Sequence, residues 1–565
     1  MVTIIWGWQN ESIDFITGEN VPDDVRTFDP EQDAIGIDDP AAMASEFEAF
    51  DTDIGLVLRP RDVDIPPPTD GSFQPGPPIT NYVVFPDLEM RALGSPPGNP
   101  AGGNFIFNNG DEFRIGDGTT GTTDDDGPNH HEPGPDANTN YFKGLGGNDT
   151  ARGAPGGSRL YGNTGDDSLL GGPGGDSIFG GQGHDVIDDG GAPALPRPVN
   201  LLSGDLGNDQ ILAAPGAANT IYGGPGDDHF SWSNPNDVDI VDATNVLFGG
   251  ADNDTVIANG LSGELTINGD RGADEIQVNA FFGDLRVHLG LGSDILEIAD
   301  RLDGNTTVTG DGGADRIEFL IQPGAITVDG GDDGDTIRAE PGTPTGETSI
   351  SVGGGEGGDL IETTGLIRNG TFRGEGGDDR IIVNPDGTLA NAQFYGIVLD
   401  GGPGNDTIQA GQGSTHIVGG PGRDELFGGN SRDRFGFFDQ PDGDADTISN
   451  FTPQFDGVLL TGDWAPSTLQ VYCSDNAAGA GANHNFLVAL GQSFDINSFQ
   501  DFLEAGAADT DKPGFYFFTE ENIGALLYFD DDMTSTAGAV RVLVMPEVTQ
   551  PDQLAAYAFE TFYTF

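Results

Sequence analysis

The chain has 565 residues, 93 acidic and 22 basic, for a net charge of −71. So acidic a chain excludes nucleic acid and anionic membrane surfaces as expected partners. A single cysteine, Cys473, excludes an internal disulfide, and no apolar run reaches the roughly 18 residues of a membrane helix.

Residues 1–60 carry an apolar stretch, Val2 to Trp8, that predicts a strand, and a segment, Ala41 to Phe50, that predicts a short helix. Together they suit an N-terminal cap. There is no basic residue before Arg26 and no long apolar core, so no cleaved secretory leader is expected. Residues 61–143 are rich in Pro and Gly, from Pro66-Pro67-Pro68 to Pro100, and read as a linker or wrapping segment. Within it, His130, His131 and Glu132 attract notice as metal ligands. The HHE spacing does not place two histidines on one helical face, and a loop reading is preferred.

The organising stretch is Gly162 to Asp188, in which a nine-residue unit, G-G-x-G-x-D-x-U-x with U apolar, repeats three times without interruption. Asp167, Asp176 and Asp185 are each preceded by glycine at two residues and followed two residues on by Leu169, Ile178 or Ile187. The Gly-rich half predicts a tight bend, because glycine takes positive φ without steric cost. D-x-U-x predicts a short strand with one inward apolar side chain. One unit cannot bury that side chain alone, whereas stacked coils form a continuous core. Stacking also gathers carboxylates and carbonyls of neighbouring bends into hard-oxygen sites of the kind that suit Ca²⁺.

The unit opens at Gly144 with Asp149, weakens where Ser158 replaces Asp, and resumes after an insertion with Asp209. Asn219 stands in the next metal position, then Asp228 follows. From Asp254 the period changes, with Asp274, Asp294, Asp315 and Asp335 spaced 20, 20, 21 and 20 residues apart. That spacing predicts a coil with an acidic bend on one edge and an ordinary Gly or Asn turn on the other. Asp359 and Asp379 continue it; near residue 400 the nine-residue register returns with Asp406, Thr415 in a metal position, Asp424 and Asp433, and Asp444 and Asp446 are weaker candidates. A salt-adapted surface would scatter its acids, whereas these aspartates keep one phase of a repeat, so metal ligation is the reading for them.

GGPGGDSIF and GGQGHDVID resemble the calcium-binding nonapeptide of RTX (repeats-in-toxin) proteins. The resemblance implies an all-β fold, a right-handed parallel β-roll or β-solenoid with several Ca²⁺ ions in its turns, over residues 144–437. It also implies export from a Gram-negative bacterium by type I secretion machinery. Residues 438–565 hold further apolar strands, a helix around Ser498 to Ala505 and an aromatic tail, and read as a β-rich C-terminal cap with an export signal.

Extracellular calcium modules bind with dissociation constants on the order of 10⁻⁴ to 10⁻³ M. Inside a cell the bends would therefore repel one another, and outside they would fill and fold. The expected role is structural, in a surface layer, matrix or filament with self-assembly between copies. The alternatives are an enzyme that uses the repeats for export, and an adhesin. Neither H-E-x-x-H nor G-x-S-x-G occurs in the sequence, so no catalytic residues are assigned.

Overall fold

The computed structural model describes residues 127–134, 137–191, 198–232, 243–299, 304–321, 324–341, 348–364, 367, 369–383, 396–411, 413–437, 445–451 and 456–460, together with isolated strands on either side. The described residues form strands, turns and bends, with no helix among them. The fold is a parallel β-solenoid. The chain divides into two compact units, Met1–Asp284 and Leu285–Phe565.

In the first unit each coil lays down one strand on each of two sheets. One sheet stacks Asn140–Gly146, Ser158–Thr164, Ser177–Gln182, Val199–Leu206, Ala218–Pro225, Ala243–Ala251 and Ser262–Arg271, all parallel. The other stacks Thr150–Arg152, Ser168–Leu170, Val186–Asp188, Gln210–Ala213, His229–Trp232, Thr255–Asn259 and Glu275–Asn279. Side chains alternate across each strand, so one register column per sheet points inward. Leu169, Ile187, Ile211, Phe230, Val256 and Ile276 form one column, and Phe142, Leu160, Ile178, Leu202, Ile221, Leu247 and Ile267 face it, every one of them at most 1% exposed. Each such side chain stabilises the roll by roughly 1.5–3 kcal/mol relative to exposure.

The second unit repeats the plan. Leu296, Ile317, Ile337, Ile361, Ile381, Ile408, Leu426 and Ile448 lie buried against Val287, Val308, Val328, Val352, Phe372, Leu399, Ile417, Phe435 and Val458. Its last coil is covered by strands from the chain's end: Val540–Met545 pairs with Asp446–Ser449, and Phe562–Thr564 with Gly457–Leu460. Gly514–Glu520, Gly524–Asp530 and Val540–Met545 form an antiparallel meander. The helix expected at Ser498 to Ala505 lies outside the described residues, as does Asp444.

Two expectations need revision near the N-terminus. Phe47–Thr52, the end of the expected helix, is a strand paired antiparallel with Gly55–Pro60. Only Asp53 and Ile54 separate the two segments in sequence, and hairpin pairing satisfies both backbones. The stack also begins before residue 144. Glu112–Ile115 pairs with the strand from Asn140, and His130–His131 with Thr150–Ala151. His131 heads an inward apolar column, fully buried, its ring stacked on Phe142 with 5.4 Å between centroids. Burial, reinforced by Arg114 and His130, lowers its pKa to about 3. His131 is thus a neutral core residue that accepts from Asn140 Nδ2 at 3.0 Å.

Candidate metal edge

Each coil of the first unit turns between its sheets through a bend whose aspartate is buried. Asp149, Asp167, Asp185, Asp209, Asp228, Asp254 and Asp274 fall in register on one edge, each at most 2% exposed. Asp294, Asp315, Asp335, Asp359, Asp379, Asp406 and Asp424 do the same in the second unit. The bend needs left-handed backbone four and two residues before the aspartate, as at Asn163 (φ 78°) and Gly165 (φ 125°) ahead of Asp167. Glycine or a short polar side chain fills most of these positions because few others tolerate that region.

The bends join through their carboxylates. In the first unit the Asp149 N–H donates to Asp167 Oδ1, Asp167 to Asp185, Asp185 to Asp209, Asp209 to Asp228, Asp228 to Asp254 and Asp254 to Asp274, at 2.7–2.8 Å. In the second, Asp294 donates to Asp315, and the series runs through Asp335, Asp359, Asp379, Asp406 and Asp424 to Asp446 at 2.7–2.9 Å. Asp446 therefore closes the series, and Asn129, which donates to Asp149 Oδ1 at 2.7 Å, opens the first one.

Oδ1 is thus consumed by the fold, and Oδ2 is not. In Asp167, Asp185, Asp209, Asp228, Asp254, Asp315, Asp335, Asp359, Asp379 and Asp406 the buried Oδ2 receives no hydrogen bond. A buried carboxylate oxygen without a donor costs free energy unless a cation meets it. Beside it lies a carbonyl of the following coil: a Cβ added to Gly162 would fall on both Asp167 Oδ2 and the Gly180 carbonyl, and the same holds at Gly180, Gly204 and Gly330. Oxygens of two successive coils therefore converge on a space no larger than a methyl group could fill. Among the described residues no three His, Cys, Asp or Glu side chains converge on a point. The donor set is carboxylate plus backbone carbonyl, all oxygen, which fits Ca²⁺ and does not fit zinc.

Electrostatics agree with that fit. Burial pushes Asp167, Asp185, Asp228, Asp335 and Asp406 up to about 7, and Asp254 and Asp315 to about 8. The backbone N–H bond opposes the shift, and neighbouring carboxylates add to it. The metal-free edge thus resists its own ionisation.

Asp176 and Asp433 lie on the opposite edge. There the register column in the first unit reads Asn140, Ser158, Asp176, Asn200, Asn219 and Asn245, then Leu265. In the second it reads Leu285, Thr306, Ile326, Ile350, Gly370, Ile397, Thr415, Asp433 and Asp456. In the first unit amides replace carboxylates in the bonding: Asp176 N–H donates to Asn200 Oδ1 at 2.9 Å, Asn200 Nδ2 to Asn219 Oδ1 at 2.9 Å, and Asn219 N–H to Asn245 Oδ1 at 3.1 Å. In the second, carboxylates return at the end of the column, where Thr415 N–H donates to Asp433 Oδ1 at 3.0 Å and Asp433 N–H to Asp456 Oδ1 at 2.8 Å. Asp176 and Asp433 each give Oδ2 to an N–H four residues back, Gly172 at 2.9 Å and Gly429 at 2.7 Å.

A second row, outside the first, was not anticipated from the sequence. Asn148 Oδ1 accepts from the Asp166 N–H, Asp166 from His184, His184 Nδ1 from Asn208, Asn208 from Asp227 and Asp227 from Asn253, at 2.9–3.2 Å. These residues immediately precede the edge aspartates, and only an exposed Asn, Asp or His in phase would have signalled them.

A parallel β-solenoid with oxygen-lined bends in register is the architecture of a calcium-binding repeat protein. The family model for the RTX calcium-binding nonapeptide repeat matches the chain in four copies, at residues 152–187, 203–231, 241–260 and 400–435. The chain thus carries RTX repeats, and these repeats bind calcium. No curated protein and no solved structure matches it.

Proposed function

We propose that this chain is a secreted protein that folds on meeting extracellular calcium and serves as a rigid element of a bacterial surface layer, matrix or filament. The observation that carries this reading is the row of buried carboxylates whose Oδ2 atoms have no donor within the fold. Bound calcium supplies the positive charge that those oxygens otherwise lack. The aspartates hold neighbouring bends together through Oδ1 and present Oδ2 between them; without counter-charge the stacked carboxylates repel one another. Binding and folding are thereby coupled.

Export by a type I system of a Gram-negative bacterium is supported by the repeat family, whose members typically leave the cell that way. No helix among the described residues is long and apolar enough to cross a membrane. A structural role, rather than an enzymatic one, is favoured because the repeats and their stacked coils occupy so much of the chain, with neither hydrolase motif in the sequence.

Circular dichroism of the full chain tests the first half: β content should collapse in excess EGTA and return with millimolar Ca²⁺. Full β content in EGTA overturns it. Negative-stain microscopy tests the second half, with ordered sheets or fibres expected only with calcium. Single, monodisperse particles under both conditions overturn the assembly role.

A further inference from the structure

Along the acidic edge the residue five before the aspartate is glycine in coil after coil. At twelve of these glycines, from Gly144 to Gly419, an added Cβ would collide with Oδ2 of that coil's own aspartate. The absence of a side chain is what leaves room for the oxygen to face the next coil. The Asp294 coil departs from this: its residue at that place is Leu289, fully buried.

We propose that Leu289 closes the metal space of its bend, so that no ion sits between the Asp294 and Asp315 bends and an apolar side chain takes its place. A calcium ion requires six to eight oxygens around it. By analogy with the glycine coils, the Leu289 Cβ falls where the Gly310 carbonyl and the Asp294 carboxylate would otherwise converge, and this buried side chain offers no lone pair. The coil nevertheless stacks normally. The Asp294 N–H reaches Asp315 Oδ1 at 2.8 Å, and the Arg316 N–H reaches the Asp294 carbonyl at 2.8 Å. Leu289 joins the core alongside Val287, also fully buried. Stacking and ion binding are therefore separable in this coil, and in the second unit the row of ions begins at the Asp315 bend, not at Asp294. This inference rests on calcium occupying the remaining bends.

Anomalous diffraction from crystals of the full chain grown with calcium tests it directly. Peaks are expected beside Asp315, Asp335, Asp359, Asp379 and Asp406, with none between Asp294 and Asp315. A peak there overturns the inference alone, whereas absence of peaks at every bend overturns the calcium reading itself. Native mass spectrometry adds a count. L289G, which removes the Cβ, should bind one ion more than the parent, L289A should bind the same number, and G354A, which puts a Cβ against Asp359 Oδ2, should bind one fewer. An unchanged count in G354A, or in a folded L289G, removes the rule on which the proposal stands.

Discussion

The two edges of the roll solve one problem with different chemistry. Both must bond the polar backbone of each bend to the bend above, and both use a side-chain oxygen that accepts a neighbour's N–H. On the acidic edge that oxygen comes from aspartate in every coil from Asp149 to Asp274 and from Asp294 to Asp424, leaving a second oxygen without a donor at most bends. On the opposite edge Asn200, Asn219 and Asn245 supply a neutral oxygen and an amide that finds its own acceptor, or Leu265, Ile326 and Ile350 fill the space with carbon. Stacking alone does not require charge. The acidic edge keeps its carboxylates although amides suffice nearby, and that recurring surplus is what favours it as the metal side, although Asp176 on the opposite edge also has a buried Oδ1 with no hydrogen bond.

The comparison can be broken by exchanging its chemistry. The largest single-residue effect is expected from D228N. It keeps the Oδ1 acceptor but puts an amide in place of Oδ2, so the ion expected between the Asp228 and Asp254 bends loses a ligand while neighbouring carboxylates stay buried. In saturating calcium it should cost about 3 kcal/mol in a urea melt and raise the calcium midpoint for folding. A loss under 1 kcal/mol would mean that the carboxylate serves only as a hydrogen-bond acceptor. I326A on the neutral edge should cost somewhat less, about 2 kcal/mol, by opening a cavity. Unlike D228N, it should leave the ion count unchanged, and loss of an ion would show the edges to be coupled.

Acidity offers a gentler probe. In EGTA, burial raises the folded-state pKa of Asp167 to about 7 and of Asp254 and Asp315 to about 8, against an ordinary 3.8, so the folded form binds protons that the unfolded form has released. Their contribution to the metal-free fold is then fully present below about pH 4 and is lost as pH rises through 7 to 8. Metal-free samples should show more β structure at pH 4.5 than at pH 8, and the reverse order would contradict buried carboxylates. The smallest effect belongs to D176N, which places asparagine in a column already holding Asn200 and Asn219. It should change stability by less than about 1 kcal/mol and leave calcium binding intact. A D228N-sized loss would make the two edges equivalent.

The acidic edge was legible in the sequence because its code is local: two left-handed positions, an aspartate and an apolar residue lie within nine positions, so each bend announces itself. Ile276, Leu296, Ile317 and Ile337 were readable as core on the same ground, and all are buried. On the opposite edge the loss of the acidic bend beyond Asp254 was legible from the 20-residue spacing, but the residues that replace it were not, since Leu265 or Ile326 there looks like any strand residue. Nor was the start of the roll at Glu112–Ile115 and His130–His131, where the side chains at the bends no longer follow the repeat. Phe47–Thr52 misled for a different reason: its Ala- and Glu-rich approach suits a helix, but pairing with Gly55–Pro60 prevails.

The direction of the carboxylate bonds has a consequence for how the molecule frays. Both polar backbone groups of an edge aspartate are completed by the coil that follows it: Asp149, for example, donates to Asp167 Oδ1 and accepts from the Ser168 N–H. Cutting a unit short at its carboxyl-terminal side strands the aspartate's own amide and carbonyl together, whereas trimming the other side bares a carboxylate and the N–H of the residue after it, as at Asp167 and Ser168. The stack thus has a polarity, its two ends baring different groups, and the strand Val540–Met545 pairs with the end of the second unit where backbone amides and carbonyls would otherwise be left open.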